Sequence, residues 1–187
     1  MIESFDLRTA RLPLNHGAGH MPVLGFGTLI PDAAVTISAT RDALEAGFRH
    51  FDCAERYRNE REVGEALQAG LAAGGIARED IFVTTKLWNT NHRPERVESA
   101  FDASLDRLRL NYLDLYLSHT PFAFQPVSTG GRAGSAGSIR QYSLRSRRDL
   151  DRDLAGDGES CRPWKCRAIG LSDITLEGRC PSTNPRE

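Results

Sequence analysis

The sequence predicts an α/β fold in which parallel β-strands alternate with α-helices. Two observations predict it. Short apolar runs rich in β-branched residues alternate with amphipathic segments between about residues 23 and 119. The length of 187 residues also suits one domain that can bury a core of its own. Strands and helices in this alternation form a parallel sheet with right-handed helical connections.

The elements can be placed in order along the chain. Strands are predicted at 23–28, 48–54, 81–87, 113–119 and 167–172. Asp32 is the predicted N-cap of the first helix and Gly47 closes it, whereas Pro94 occupies the first turn of the third. The residues expected to face the core are Val35, Ala39, Ala43 and Ala46 in the first helix, Val63, Ala66, Leu67 and Leu71 in the second, and Val97, Ala100, Phe101, Leu105 and Leu108 in the third.

The pattern divides the chain into four segments. Residues 1–127 have the texture of a folded α/β unit, and residues 165–177 restore it with one strand and its loop. Residues 128–164 show neither a helical nor a strand period and are predicted to be irregular or disordered. The basic run Arg145–Arg148 is typical of a solvated insert, because aspartates flank it. Residues 178–187 are predicted to be a disordered tail.

Charge and composition exclude several classes of function. The chain has 24 Lys and Arg against 25 Asp and Glu, a net charge of −1, which argues against nucleic-acid binding by bulk electrostatics. No apolar run approaches the roughly 20 residues of a membrane span, and the N-terminus lacks the apolar core of a signal peptide. The four cysteines have neither zinc-site nor disulfide-framework spacing. We therefore expect a cytoplasmic protein with no metal, membrane or nucleic acid as partner.

Polar side chains end four of the predicted strands. Asp52, Lys86, His119 and Ser172 each follow an apolar run at its carboxyl end. Two architectures are compatible with the alternation, an open doubly wound sheet and a (β/α)₈ barrel. Because a barrel places its active site at the carboxyl ends of its strands, this placement favours the barrel.

The end of the first strand bears on whether the sheet is open and doubly wound. An open dinucleotide-binding sheet requires a third glycine three residues after the Gly25-x-Gly27 pair. Ile30 stands at that point. The sequence therefore disfavours such a site, and the barrel is the predicted architecture.

Tyr57, Lys86, Asp52 and His119 together suit the reduction of a carbonyl. A phenol has a reference pKa near 10 and exchanges its proton poorly at neutral pH unless a nearby cation favours the ionised form. Lys86 can supply that cation, and Asp52 can hold it in place. His119 can donate a hydrogen bond to the substrate oxygen while Tyr57 protonates it. Taken alone, each residue is more often structural, as a strand-end cap, an ion-pair partner or a packed aromatic ring.

Three segments resemble the signature of the aldo-keto reductases. Gly47-Phe48-Arg49-His50-Phe51-Asp52-Cys53-Ala54, followed by Tyr57, Asn59-Glu60 and Gly64, is similar to the family pattern G-[FY]-R-H-x-D-x-A-x-x-Y-x-N-E-x-x-x-G. Residues 83–88 (VTTKLW) resemble the strand of its catalytic lysine, and residues 113–119 (LDLYLSH) that of its catalytic histidine. The resemblance covers about residues 8–127 and 165–177.

The resemblance implies a (β/α)₈ TIM barrel, of which this sequence holds about the first five βα units. It also implies reversible, NADPH-dependent reduction of small-molecule aldehydes or ketones. Tyr57 is then the general acid, supported by Lys86 and Asp52. His119 orients the carbonyl, and Trp88 lines the substrate pocket beside it.

The resemblance further implies which residues meet the cofactor, NADPH or NADP+. They are Gly27, Thr28, Asp52, Ser172 and Asp173. Gly27 and Thr28 would lie near it through their backbone, and Ser172 would hold the nicotinamide carboxamide. The preference for NADPH over NADH is inferred from the family alone.

Several departures from the family pattern bear on substrate and cofactor. Thr120 and Leu29 stand where many members carry pocket tryptophans, and Asp173 stands where many carry asparagine. A carboxylate cannot donate a hydrogen bond to the carboxamide as an amide can. The sixth to eighth strands, whose loops hold the cofactor's phosphates and adenine in the family, are absent from the sequence.

Two further features complete the expectations. Residues 11–23, with Gly17 and Gly19 as turn residues, resemble the hairpin that closes the bottom of the barrel. The spacing from His119 to Ser172 is similar to that of the family although the texture between them is lost, which suggests a reading-frame slip. The leading hypothesis is a carbonyl reductase, monomeric if complete. The alternative is a catalytically inactive fragment or a non-enzymatic binding protein, and cofactor titration separates the two.

Overall fold

The computed structural model describes residues 6–124 and 165–173. They form a two-stranded antiparallel hairpin and a five-stranded parallel sheet whose strands follow chain order. The hairpin strands are β1 (Arg11–Pro13) and β2 (His20–Pro22), and the sheet strands are β3 (Phe26–Gly27), β4 (His50–Asp52), β5 (Phe82–Leu87), β6 (Leu113–Ser118) and β7 (Cys166–Leu171). The predicted parallel strands are confirmed; the first four are shorter than their predicted runs, and β7 has the predicted length but begins one residue earlier.

Three helices connect the strands in the predicted alternation. Helix α1 (Ala33–Glu45) lies between β3 and β4, α2 (Glu60–Ala72) between β4 and β5, and α3 (Pro94–Leu108) between β5 and β6. Asp32 accepts a hydrogen bond from the backbone N–H of Val35 at 2.8 Å, which confirms it as the N-cap of α1. Gly47 follows the end of α1 with a φ of +94°, a conformation that costs glycine little.

The apolar faces of α2 and α3 pack as predicted. Val63, Ala66 and Leu67 of α2 are buried, and so are all the predicted core residues of α3. All of these except Ala66 join Phe51 of β4 and Leu113 of β6 in one apolar cluster. The helices therefore cover one side of the sheet and leave the carboxyl ends of its strands open to a site.

The predicted buried face of α1 is wrong in part. Val35 is 51% exposed and Ala46 is also exposed, whereas Thr36, Thr40 and Leu44 are buried together with Ala43. The hydroxyl of Thr36 donates to the carbonyls of Ile30 and Asp32 at 3.1 and 2.8 Å, so its burial leaves no unpaired polar group there. A prediction from apolar residues alone therefore places the buried face of α1 about one residue away from its position in the structure.

The hairpin lies against the amino ends of the strands. Gly17 and Gly19 have φ values of +72° and +101° between β1 and β2, as expected of turn residues. His50 ties the hairpin to the sheet, because Nδ1 lies 3.3 Å from the carbonyl oxygen of Pro22 and Nε2 lies 3.1 Å from Oγ1 of Thr84. Burial lowers the pKa of His50, so the imidazole remains neutral in this contact at neutral pH.

Some expectations fall outside the described residues. The irregular segment 128–164, the tail 178–187 and the proposed frame slip lie there. Within the described ranges, no helix has the length and apolar character needed to cross a membrane. The same ranges hold no group of three or more His, Cys, Asp or Glu side chains arranged for a metal ion.

Replacing Gly64 with alanine is expected to destabilise the fold by about 2–3 kcal/mol. A Cβ at Gly64 would lie 2.6 Å from the carbonyl oxygen of Arg107 and 2.7 Å from that of Leu108, both backbone atoms of the α3 C-terminus. Helices α2 and α3 would have to separate, which outweighs the gain in helix propensity of roughly 1 kcal/mol. Urea unfolding followed by circular dichroism measures the change.

Gly70→Ala is the matched control on the same helix. Its Cβ would meet only Cδ1 of Leu44 at 2.7 Å, the far end of a side chain that can rotate away. We expect Gly70→Ala to be close to neutral. Equal losses for the two variants would show that close contact with the α3 backbone is not what requires glycine at position 64.

Candidate active site

The carboxyl ends of four parallel strands gather the predicted site residues. Asp52 is the last residue of β4, and Lys86 is the next-to-last residue of β5. His119 directly follows β6, and Ser172 directly follows β7. The ladder aligns these ends, because Leu87 pairs with Ser118 and Ser118 with Leu171. The structure therefore brings together at one edge residues that are up to 120 positions apart in the sequence.

Lys86 lies at the centre of the site. Its Nζ donates to Oδ1 of Asp52 at 2.7 Å and to the carbonyl oxygen of Cys53 at 3.0 Å, and it lies 3.4 Å from the hydroxyl of Tyr57. The lysine side chain is 7% exposed and the aspartate side chain is 38% exposed. The ion pair with Asp52 and the hydrogen bond to Cys53 hold the ammonium in one place. The cation is thus fixed beside the phenol.

A short turn after β4 positions Tyr57. Residues Glu55–Tyr57 form a 3-10 turn, and Arg58 closes it with a φ of 60°. The backbone N–H of Tyr57 donates to the carbonyl of Ala54 at 3.0 Å. This turn places the phenol beside Lys86. Asp52, which binds the same lysine, lies on β4, the strand that precedes the turn.

Four ring side chains form a continuous row of contacts that begins at Tyr57, beside Lys86. The rings of Tyr57 and His119 are 5.8 Å apart at 85°, and those of Trp88 and His119 are 5.3 Å apart at 75°. Phe124 packs edge-on against Trp88 with ring centroids 5.8 Å apart. These T-shaped contacts stabilise the positions of the rings. The phenol and the imidazole therefore belong to one contiguous group of rings beside Lys86.

His119 is held as a neutral imidazole. Burial lowers its pKa, and the positive charge of Lys86 lowers it further, while Asp173 and Asp52 act in the opposite direction. Its backbone N–H donates to the carbonyl of Leu87 at 3.1 Å. Nδ1 is buried without a hydrogen-bond partner among residues 6–124 and 165–173. A neutral ring at this position can donate one hydrogen bond to a substrate oxygen.

Besides Asp52 on β4, the residues predicted to meet the cofactor lie at the ends of β3 and β7, the two outer strands of the described sheet. Gly27 ends β3 and is exposed, and a Cβ there would meet nothing within 4 Å. Ser172 and Asp173 follow β7 at the other side of the sheet. Asp173 is exposed and has a φ of 55°, a conformation that aspartate tolerates better than most residues.

Thr28 is placed differently from its neighbour Gly27. It is fully buried, its backbone N–H and its hydroxyl both donate to the carbonyl of Asp52 at 3.0 Å, and its own carbonyl accepts from Asn59 at 2.7 Å. All of its polar groups are therefore used within the protein. Thr28 supports the backbone that carries Asp52.

Sequence reasoning gave no role to several residues that build the site. Asn59 donates to the carbonyls of Thr28 and Ile30 at 2.7 and 3.0 Å and so fixes the loop after β3. Its only signal was its place in the motif Asn59-Glu60. The carboxylate of Glu55 accepts from Nδ2 of Asn91 at 2.9 Å and from the backbone N–H of Trp88 at 3.3 Å. No periodicity marks such contacts.

The departure at Thr120 also has a structural consequence. Its hydroxyl accepts a hydrogen bond from Nδ2 of Asn89 at 2.7 Å, and the backbone N–H of Phe124 donates to the carbonyl of Asn89 at 2.8 Å. The loop after β6 is thereby tied to the loop after β5. Phe124, rather than residue 120, supplies the aromatic contact to Trp88.

The fold is that of an incomplete (β/α)₈ barrel. It is similar to the solved structure of the aldose reductase from Schistosoma japonicum, with a TM-score of 0.76 and 39% sequence identity. The similarity covers 90% of this chain and 54% of that chain. The predicted architecture is therefore confirmed.

The sequence comparison is equally specific. The model of the "Aldo/keto reductase family" matches residues 24–177, and the chain belongs to this family. It is 46% identical over 174 residues to dihydrodiol dehydrogenase 3 of Bos taurus. The matched region covers 89% of this chain and 49% of that protein. It is 44% identical over 136 residues to aldo-keto reductase family 1 member A1 of Mus musculus, covering 72% and 42%. The chain thus spans less than half the length of these curated relatives.

Proposed function

We propose that the protein is an NADPH-dependent reductase of small-molecule aldehydes or ketones, with Tyr57 as the general acid. The observation that carries the proposal is the chain of contacts from Asp52 through Lys86 to Tyr57, at 2.7 and 3.4 Å. Family membership supports the reaction class. Neither of the two described cysteines offers a competing nucleophile, because burial raises the pKa of Cys53 and raises that of Cys166 to about 11.

The residues present fit the nicotinamide end of such a cofactor. The open surface at Gly27 leaves room for a flat ring, and the hydroxyl of Ser172 can donate to a carboxamide oxygen. The carboxylate of Asp173 can accept from the carboxamide N–H₂. Asp52 pairs with Gly27 in the sheet and its side chain is 38% exposed, so it borders the same surface, whereas the buried Thr28 supports that backbone from behind. When bound, a reduced nicotinamide supplies a hydride to the carbonyl carbon.

The side chains of the protein orient the carbonyl oxygen of the substrate and supply its proton. His119 donates a hydrogen bond to that oxygen and fixes its direction, and Tyr57 gives up its hydroxyl proton to the oxygen as negative charge develops there. Lys86 stabilises the phenolate that remains, and Asp52 keeps Lys86 from turning away. Trp88 walls the pocket and keeps water from the reacting groups.

The proposed partner is therefore a small carbonyl compound. We expect a cytoplasmic location, and the two cysteines that the structure describes, Cys53 and Cys166, are free thiols, as this location predicts. A monomeric state remains a prediction.

The test is an assay of NADPH consumption at 340 nm with 4-nitrobenzaldehyde, together with titration of NADPH fluorescence against the protein. We expect both turnover and an emission change. Bound NADPH without turnover would favour the alternative of an inactive fragment. An unchanged emission with protein at tens of micromolar would remove the reductase proposal altogether.

Gly27→Ala probes the proposed cofactor face. Because its Cβ would meet no protein atom within 4 Å and its φ is not positive, the fold should tolerate the methyl group. A cofactor ring against this surface would meet it, and we expect the Kd of NADPH to rise about tenfold or more, a cost of roughly 1.4 kcal/mol. Fluorescence titration of both proteins measures it. An unchanged Kd would place the nicotinamide elsewhere.

A further inference from the structure

We propose that Arg56 is a specificity-determining residue that selects carbonyl substrates bearing a carboxylate. The proposal rests on the proposed function, because Arg56 borders the same pocket. Arg56 directly precedes Tyr57 in the 3-10 turn after β4 and is exposed. A guanidinium group recognises carboxylates through paired, charge-assisted hydrogen bonds.

The pocket wall holds the arginine in place. The guanidinium carbon of Arg56 lies 5.3 Å from the ring centroid of Trp88. Trp88 in turn contacts His119 and Phe124 through its ring. A cation over an indole face is attracted by the ring, and stacking limits the rotamers of the long side chain. The contact with Trp88 thus limits the positions that the guanidinium of Arg56 can take beside the site.

Arg56 has no acidic partner in the part of the chain that the structure describes. Within residues 6–124 and 165–173, no carboxylate lies within 4.0 Å of its guanidinium. The adjacent carboxylate of Glu55 is occupied by Asn91 at 2.9 and 3.1 Å and by the N–H of Trp88. Asp52 is bound to Lys86 at 2.7 Å. An incoming carboxylate would therefore meet a guanidinium whose N–H groups have no acceptor among the described residues.

The guanidinium also acts on the reaction centre. After burial and Lys86, the positive charge of Arg56 contributes to lowering the pKa of His119, so its field reaches the imidazole proposed to orient the carbonyl. The opposing carboxylate of Asp173 follows β7, three strands away from β4 in the sheet. A substrate with an apolar body against Trp88 and a carboxylate beside Arg56 fits this distribution of charge.

A binding experiment tests the proposal without turnover. Tryptophan emission of the full chain, in a Trp164→Phe background that leaves Trp88 as reporter, is titrated with cyclohexanecarboxylate and with cyclohexanecarboxamide. We expect the carboxylate to bind about tenfold more tightly than the amide, and the preference to weaken as salt is added. Arg56→Gln should abolish the preference, and Arg56→Lys should keep part of it.

Arg58→Gln is the matched control, because Arg58 is exposed on the same turn and carries the same charge. It should keep the preference for the carboxylate. Equal binding of acid and amide by the wild type, or equal losses in the Arg56→Gln and Arg58→Gln variants, would overturn the proposal.

Kinetics separate this inference from the proposed function. The ratio of kcat/KM for 4-carboxybenzaldehyde to that for its methyl ester should fall about tenfold in Arg56→Gln. Turnover with an unchanged ratio would overturn the role of Arg56 alone. A carboxylate preference in binding without turnover of any aldehyde would overturn the reductase proposal and retain Arg56 as a carboxylate-binding residue.

Discussion

Replacing Tyr57 with phenylalanine is expected to lower kcat for aldehyde reduction by about 10²–10⁴-fold, because the carbonyl oxygen then lacks its proton donor. The hydroxyl that is lost is the one 3.4 Å from Nζ of Lys86. The ring, its edge-on contact with His119 and the 3-10 turn remain. The binding of NADPH should therefore change little. Initial rates and fluorescence titration on the same preparations separate the two effects.

Tyr112→Phe controls for the substitution itself. Tyr112 lies just before β6 begins, and the guanidinium carbons of Arg78 and Arg167 are 3.9 and 4.7 Å from its ring centroid. It lies at the amino end of the strand, away from the site, and its replacement should leave kcat within about twofold of the wild type. If Tyr57→Phe also retained most of the activity, the proton would have to come from another group.

Replacing Arg107 with methionine is expected to cost about 3–5 kcal/mol of folding free energy, because it leaves a buried carboxylate without its cation. The side chain of Glu60 is 1% exposed, and Nε of Arg107 donates to it at 2.7 Å. Thr85 and Ser104 also donate to it, at 2.6 and 3.2 Å. This network joins α2, α3 and β5 behind Lys86. Urea unfolding measures the loss, with Arg61→Met, an exposed arginine of α2, as control.

The folding free energy lost in Arg107→Met should increase with pH. Burial raises the pKa of Glu60, whereas Thr85 and Arg107 lower it. The folded state therefore binds a proton at this site more readily than the unfolded state, and its stability falls as pH rises through the folded pKa. Without Arg107 that pKa rises further. The variant should lose more relative to the wild type at about pH 8 than at about pH 5, and a loss independent of pH would contradict the buried, charged carboxylate.

Local patterns predicted the helices that pack through apolar stripes. The residues Val97, Phe101 and Leu108 of α3 repeat at helical spacing and all are buried. The cap at Asp32 was also readable, because its partner, Val35, is only three residues away. Such features depend on neighbours in the sequence, and one sequence is enough to predict them.

Buried polar side chains were the part that could not be predicted. Thr36 and Thr40 of α1 are fully buried, although a hydrophobic pattern places threonine outside. Glu60 is matched by Arg107, 47 residues later, and nothing in the sequence links the two. The predicted site residues could be grouped from the sequence because they follow strands whose carboxyl ends converge. The contacts of Glu55 and Asn59 depend on loop conformations, which the sequence pattern does not predict. Only the three-dimensional structure reveals those partners.

A double-mutant cycle in kcat between Tyr57 and Lys86 bears most directly on how the site works. If the ammonium acts by assisting proton donation from the neighbouring hydroxyl, Tyr57→Phe combined with Lys86→Met should be no slower than Tyr57→Phe alone. If the two losses multiply instead, the groups act independently, and the contact at 3.4 Å does not explain catalysis.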